Sequence, residues 1–251
     1  MSDSTLCDYL DWDSQFFGKR IARAKASCLT EESVSGIEAW CRLHKIDCLY
    51  FLANFADQRT TQLAQDNLFR FVDVRVTFDL VVETAKGVSG NSSEVTIRNA
   101  EEDDIQALRL LARNGHRDSR FYYDGNFPVS LCDELYEIWI EKSCRGWANR
   151  VLVATQYGQV NAYLTCHLPN ATLGQIGLIA VGEKAQGKGI GRSLVLNAIR
   201  WFAEKGVCNV KVVTQGRNVR AQRFYEQCGF TISSAELWFH RWWPSETWNR
   251  K

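Results

Sequence analysis

The chain has 251 residues, with 30 Lys and Arg against 29 Asp and Glu, a formal net charge of +1 and 45% hydrophobic residues. That is a globular composition with room for one large or two small cores, and it lacks the basic surplus that a nucleic-acid partner demands. No apolar stretch approaches the roughly 20 residues of a bilayer span, and residues 1–9 have neither a basic flank nor an apolar core, so no membrane span and no secretory signal are expected.

In chain order, residues 30–46 and 57–68 carry helical spacing, and 69–82 alternate as a long strand. Residues 1–85 therefore predict a small β-α-β-α-β domain. From Glu83 to Ser93 hydrophobicity drops while Gly and Ser gather, which places a linker at 86–93 and a second domain at 94–251. A strand at 95–98 comes next, and Glu101 to Asp104 set acidic side chains at the positive end of a helix. A loop over 115–128 leads to an amphipathic helix at 129–143. Strands at 151–156 and 160–167 flank Tyr157-Gly158, which is hairpin chemistry. Residues 175–181 are apolar throughout, as in a buried central strand. After a glycine loop come a helix at 191–205, a strand at 209–214, a short helix at 218–227 and a last strand at 230–240. The fold class is α/β with a mixed sheet.

Nine Cys without a secretory signal point to reduced thiols in a cytoplasmic protein. No CxxC occurs and the four His stand singly, so no metal site is expected. The loop Gln186-Gly-Lys-Gly-Ile-Gly191 has two readings from its residues alone. It is either a nest of backbone N–H groups for a pyrophosphate at a helix N-terminus or a tight turn required by packing. It is not GxGxxG, and as a P-loop it would put Gly189 where Ser or Thr must stand.

With its flanks, this loop resembles that of the GNAT acetyltransferases. The resemblance runs from about residue 95 to 241. It also rests on Ile97-Arg98 with Asp103-Asp104-Ile105, on the strand 176–181, and on Asn218-x-x-Ala221-x-x-Phe224-Tyr225-x-x-Cys228-Gly229-Phe230. It implies a twisted mixed sheet whose two central strands splay to hold acetyl-CoA as acyl donor, preceded here by the smaller N-terminal α/β domain. The pyrophosphate would rest on the amides of Gly187, Lys188, Gly189, Ile190, Gly191 and Arg192, next to Gln186. The backbone of Leu178, Ile179, Ala180 and Val181 would align the pantetheine arm, with Asn218 and Ala221 beside it. Lys188 serves equally well as a solvated surface residue.

Acetyl transfer to an amine needs a neutral amine, a polarised thioester carbonyl and a proton for the departing thiolate. The resemblance gives the last task to Tyr225, whose phenol, with an unperturbed pKa of about 10, stays protonated at neutral pH. Tyr225 could otherwise be a packing aromatic beside Phe224. Amides near Ile179 and Ala180 would polarise the carbonyl. Asp73, within Phe71-Val-Asp-Val-Arg75, either faces solvent by alternation or points inward for a reason.

Further segments make the whole chain resemble the bacterial nucleotide-sugar N-acetyltransferases. These are Trp12-Asp-Ser-Gln-Phe-Phe-Gly18, Ser119-Arg-Phe-Tyr-Tyr123, Trp139-Ile-Glu141 and Leu237-Trp-Phe-His-Arg241. That resemblance implies a 4-amino-4,6-dideoxyhexose on dTDP as acceptor and Asp73 as base through a water, Asp standing here where a glutamate is expected. Arg120, Phe121 and Tyr123 would line the acceptor, Arg120 at a diphosphate and the aromatics at thymine or the sugar face; the same three could instead pack a domain interface. Two alternatives remain: a GNAT enzyme for a peptide, lysine or small-metabolite amine, and an acyl-CoA-binding regulator without turnover. The aromatic tail 242–248 either caps the core or joins a homodimer interface.

Overall fold

A computed structural model describes residues 6–85 and 95–243, so the expected linker at 86–93, residues 1–5 and the tail from 244 onward lie outside the described residues. The first part runs β1 (Cys7–Tyr9), α1 (Asp11–Phe17), β2 (Ile21–Ala24), α2 (Glu31–Leu43), β3 (Cys48–Asn54), α3 (Gln58–Asp66) and β4 (Arg70–Val81). The second opens with β5 (Thr96–Asn99), α4 (Ile105–Gly115), α5 (Arg120–Asp124), α6 (Val129–Lys142), β6 (Arg150–Gln156) and β7 (Gln159–His167). It closes with β8 (Leu173–Val181), α7 (Ile190–Glu204), β9 (Asn209–Gln215), α8 (Val219–Gln227) and β10 (Thr231–Trp242). The α/β class and the mixed sheet agree with the sequence; α5 lies inside what was expected to be a loop.

Local chemistry sets the helix starts. Thr30 Oγ1 accepts the Ser33 N–H (3.1 Å) and Ser33 Oγ accepts the Thr30 N–H (2.8 Å), a reciprocal cap on α2. Ahead of α4, Asp104 accepts the Glu101 N–H (2.8 Å) and a two-pronged pair from Arg98 (2.6 and 2.9 Å), which ties the helix start to β5.

All ten strands form one sheet in the order β1-β2-β3-β10-β4-β9-β8-β7-β6-β5. The final strand, β10, is inserted antiparallel between β3 and β4, and β4 pairs in turn with β9. Strands from both sides of the expected linker therefore alternate within one ladder. One face of the sheet carries two cores. Leu194 and Phe202 of α7 pack on Val76, Phe78 and Val212, while Ile37 and Trp40 of α2 pack on Phe51 and Phe239. On the opposite face Phe17 and Tyr50 from the first part share a core with Leu108, Phe121, Leu135 and Tyr163 from the second. Each such side chain, fully buried, contributes about 1.5–3 kcal/mol, and the shared core joins the two parts.

Candidate active site

The site forms where β8 and β9 part. Their parallel pairing stops at Ile176 and Val212, after which the two strands share no ladder. At an irregularity in the β7–β8 register, Leu178 N–H donates to Thr165 Oγ1 (2.8 Å), and further on Gly182 N–H donates to the Asn161 carbonyl (2.8 Å). Backbone groups alternate along a strand, so the amides of Leu178, Ala180 and Gly182 face β7 while those of Ile179 and Val181 face the gap. Of the two amides expected to polarise a carbonyl, only that of Ile179 is directed there; the Ala180 amide belongs to the β7 side. Gln186 Nε2 donates to the Val181 carbonyl (2.9 Å), so Gln186 closes the end of the open edge.

Beyond β8 the chain turns through Gly187 and Gly189 at φ +76° and +75°, a left-handed conformation that costs an ordinary residue about 1–2 kcal/mol. The turn delivers the start of α7, whose Ser193 N–H donates to the Gly189 carbonyl (3.0 Å). The amides of residues 187–192 precede that bond at the positive end of the helix dipole, an arrangement that suits an anion. A Cβ at Gly191 would stand 3.3 Å from the Phe224 ring and 3.4 Å from Val181, so α7 and α8 meet closely behind the loop. A cavity of about 820 Å³ opens between the strand edge, α4 and α8. Ile179, Ala180, Val181, Gln186, Gly191, Asn218 and Ala221 line it; Leu178, residues 187–190 and Arg192 are not among its lining residues. An N–H cradle continuous with an unpaired strand edge fits a carrier with a pyrophosphate at one end and an amide-bearing arm at the other.

Tyr225 also lines this cavity. It is placed by α8, whose start is capped by Asn218 Oδ1 accepting the Ala221 N–H (2.9 Å). Its ring packs between Phe78 (5.8 Å) and Phe230 (5.9 Å). Burial pushes the phenol pKa up, so the hydroxyl is a proton donor at neutral pH.

Asp73 comes from the other face of the sheet. Its neighbour Val74 packs against the α7 core, so strand alternation turns Asp73 the opposite way, and it is 2% exposed. Asp73 is therefore an inward carboxylate, and it is not among the residues lining the cavity. Oδ1 accepts the Val74 N–H (2.8 Å) and Arg217 Nε (3.4 Å), while Oδ2 is buried with no hydrogen-bond partner. Burial raises the Asp73 pKa, with Arg217 pulling the other way. Arg120 lies over the rings of Trp238 (4.2 Å), Phe121 (4.3 Å) and Tyr50 (5.1 Å), its Nε buried and unpartnered. Phe121, expected along the acceptor, is a core residue packed on Phe17 and Phe127; it offers only the ring face under Arg120. Tyr123 is half exposed, with the Arg217 guanidinium 3.5 Å from its ring centroid.

Three features carried little or no signal in the sequence. Arg217 stands directly before the matched Asn218, the one hint it had. His116 Nε2 lies 2.8 Å from Tyr163 Oη, a contact spanning 47 residues, and burial pushes the His116 pKa down to about 4. His240 Nδ1 lies 2.5 Å from Asp124 Oδ2 across 116 residues, which Trp242 Nε1 also reaches (3.0 Å). Burial holds His240 neutral, so its Nδ1–H donates to the Asp124 carboxylate and locks α5 to β10. All nine cysteines are unpaired. Among the described residues no cluster of His, Cys, Asp and Glu is disposed to hold a metal, and no helix is long and apolar enough to cross a membrane.

An open strand edge and a buried phenol line one cleft, and the glycine turn ahead of α7 borders it through Gln186 and Gly191. Residues 101–230, just over half of the chain, match the acetyltransferase (GNAT) family, and the chain belongs to that family. It is an N-acetyltransferase, and members of the family take their acetyl group from acetyl-CoA. The chain is 29% identical to the dTDP-fucosamine acetyltransferase of Escherichia coli over 238 residues, 92% of this chain and 96% of that one. It is 31% identical to the spore coat polysaccharide biosynthesis protein SpsD of Bacillus subtilis over 57% of this chain and 49% of that protein. A crystal structure of a conserved protein of unknown function from Staphylococcus epidermidis shares the fold, with a TM-score of 0.72 at 16% identity, covering 96% of this chain and 92% of that one.

Proposed function

We propose that this enzyme acetylates the amino group of a nucleotide-linked amino-dideoxy sugar of the dTDP type, in the cytoplasm. One observation carries the proposal: the similarity to the dTDP-fucosamine acetyltransferase extends along 92% of the chain, through the acceptor-side strand β4 and helix α5, and not only through the carrier-binding half. The amides of residues 187–192 and the Ile179–Val181 edge would hold acetyl-CoA, which supplies a thioester there, its C–S bond breaking as the C–N bond forms. The Ile179 amide hydrogen-bonds the thioester carbonyl oxygen. Tyr225 gives its hydroxyl proton to the departing thiolate. Asp73 Oδ2 takes the amine proton, through a water if the carboxylate stands one methylene short, and both groups are reset from solvent. Arg120 and Tyr123 border the acceptor.

Purified enzyme with acetyl-CoA should release thiol fastest when the acceptor is an amino-sugar nucleotide, ahead of the free amino sugar, a polyamine and a peptide amine at equal concentration. Turnover confined to peptides would remove the sugar assignment. Binding of acetyl-CoA with no turnover on any amine would make the chain a regulator.

A further inference from the structure

We propose that Arg217 is a positioning residue for the transfer: it holds the Asp73 carboxylate by one oxygen, so that the other, Oδ2, is presented to the incoming amine. The inference deepens the function proposed above and rests on Asp73 being the proton acceptor there.

The placement follows from the backbone. Arg217 lies in the turn between β9 and α8, directly ahead of the capping residue Asn218. The preceding residue, Gly216, donates its N–H to the Val74 carbonyl (2.7 Å), and a Cβ there would stand 2.7 Å from Val74 Cβ. Only glycine allows this approach, which presses the turn against β4 beside Asp73. The guanidinium is then fixed three ways: Nε to Asp73 Oδ1 (3.4 Å), Nη2 to the Val72 carbonyl (2.5 Å), and its plane over the Tyr123 ring (3.5 Å). Ion pairs between exposed groups contribute little, but Asp73 is 2% exposed, where an ionised carboxylate depends on a partner.

The two carboxylate oxygens are thereby made unequal. Oδ1 is occupied by Arg217 and the Val74 amide, whereas Oδ2 is buried and unpartnered, a rare condition for a polar atom. The charged and titratable groups facing Asp73 are Arg217 from the turn, Arg120 from α5 and Tyr136 from α6. Of these, Arg217 makes the direct contact. Tyr123, the residue directly before Asp124 of the Asp124–His240 lock in α5, clamps Arg217 and so couples the acceptor segment to the carboxylate.

The test compares Arg217→Gln, Arg217→Lys and Tyr123→Ala with the parent enzyme, following aspartate carboxyl resonances by carbon NMR against pH. Asp73→Asn identifies the Asp73 signal by its loss. In Arg217→Gln the Asp73 midpoint should rise by about one pH unit or more. The acidic limb of kcat/KM should rise with it, kcat should fall roughly tenfold, and affinity for acetyl-CoA should be unchanged. Arg217→Lys should bring the limb back toward that of the parent. Tyr123→Ala, at a half-exposed position, should shift the midpoint in the same direction by less. An Asp73 midpoint unchanged in both Arg217→Gln and Tyr123→Ala overturns the proposal, as does a midpoint that moves while the limb stays. Failure of the parent enzyme to acetylate any amino-sugar nucleotide would remove the acceptor assignment, yet the NMR titration still decides whether Arg217 governs Asp73.

Discussion

Burial pushes Tyr225 and Asp73 in the same direction, toward the protonated form, with opposite consequences for catalysis. A proton donor must be protonated, although a raised pKa makes it a weaker acid, whereas a proton acceptor must be ionised to work. Tyr225→Phe removes one donor and almost no volume, so kcat should fall by about 10²-fold or more while the dissociation constant of acetyl-CoA changes less than about twofold. An unchanged kcat would reduce Tyr225 to packing. For Asp73, kcat/KM of the parent should fall as pH drops through a pKa above the ordinary carboxylate value of about 3.9. In Asp73→Asn the low rate that remains should lose this acidic limb, and a limb that persists would assign the proton to another group. The place of Tyr225 beside the cavity could be anticipated because it sits inside a contiguous motif. Phe121 stayed open between acceptor and interface because an aromatic in a polar segment looks the same in sequence whether it faces a ligand or the core.

At the scale of elements, the loop ahead of α7 depends on backbone shape more than on side chains. Gly189 has φ +75° with nothing within 4 Å of a built Cβ, so Gly189→Ala meets strain without a clash. It should cost about 1–2 kcal/mol of stability and weaken acetyl-CoA binding, seen as a lower melting temperature and a smaller stabilisation by the ligand. Equal ligand-induced stabilisation in the variant and the parent would show that the amide cradle is not used. The long regular elements, β4 and α7, followed from periodicity. Helix α5 did not, since five residues complete little more than one turn and leave no repeat to detect. The parting of β8 from β9 was likewise invisible in its residues, because it arises from where pairing stops.

For the whole molecule, the composition break at 83–93 was read as a boundary, and the sheet and one core run through both flanking parts. Tertiary pairing is non-local, and no window of sequence reports that β10 returns to lie between β3 and β4. A fragment of residues 94–251 leaves β9 and β10 without β4 between them. It should be insoluble or molten alone and become folded when co-expressed with residues 1–85, as judged by amide dispersion in NMR. A well-dispersed spectrum from the fragment alone would establish two independent domains. The same placement of β4 beside β9 is what sets Asp73 against Arg217 of the turn ahead of α8.

A crystal structure with coenzyme A and an amino-sugar nucleotide bound tests the central claim most directly. The thiol sulfur should lie within hydrogen-bond reach of the Tyr225 hydroxyl in the gap between β8 and β9, with the acceptor nitrogen on the Asp73 Oδ2 side, directly or through one water. Coenzyme A bound away from the Gly187–Arg192 amides, or an acceptor amine with no path to Asp73, would contradict it.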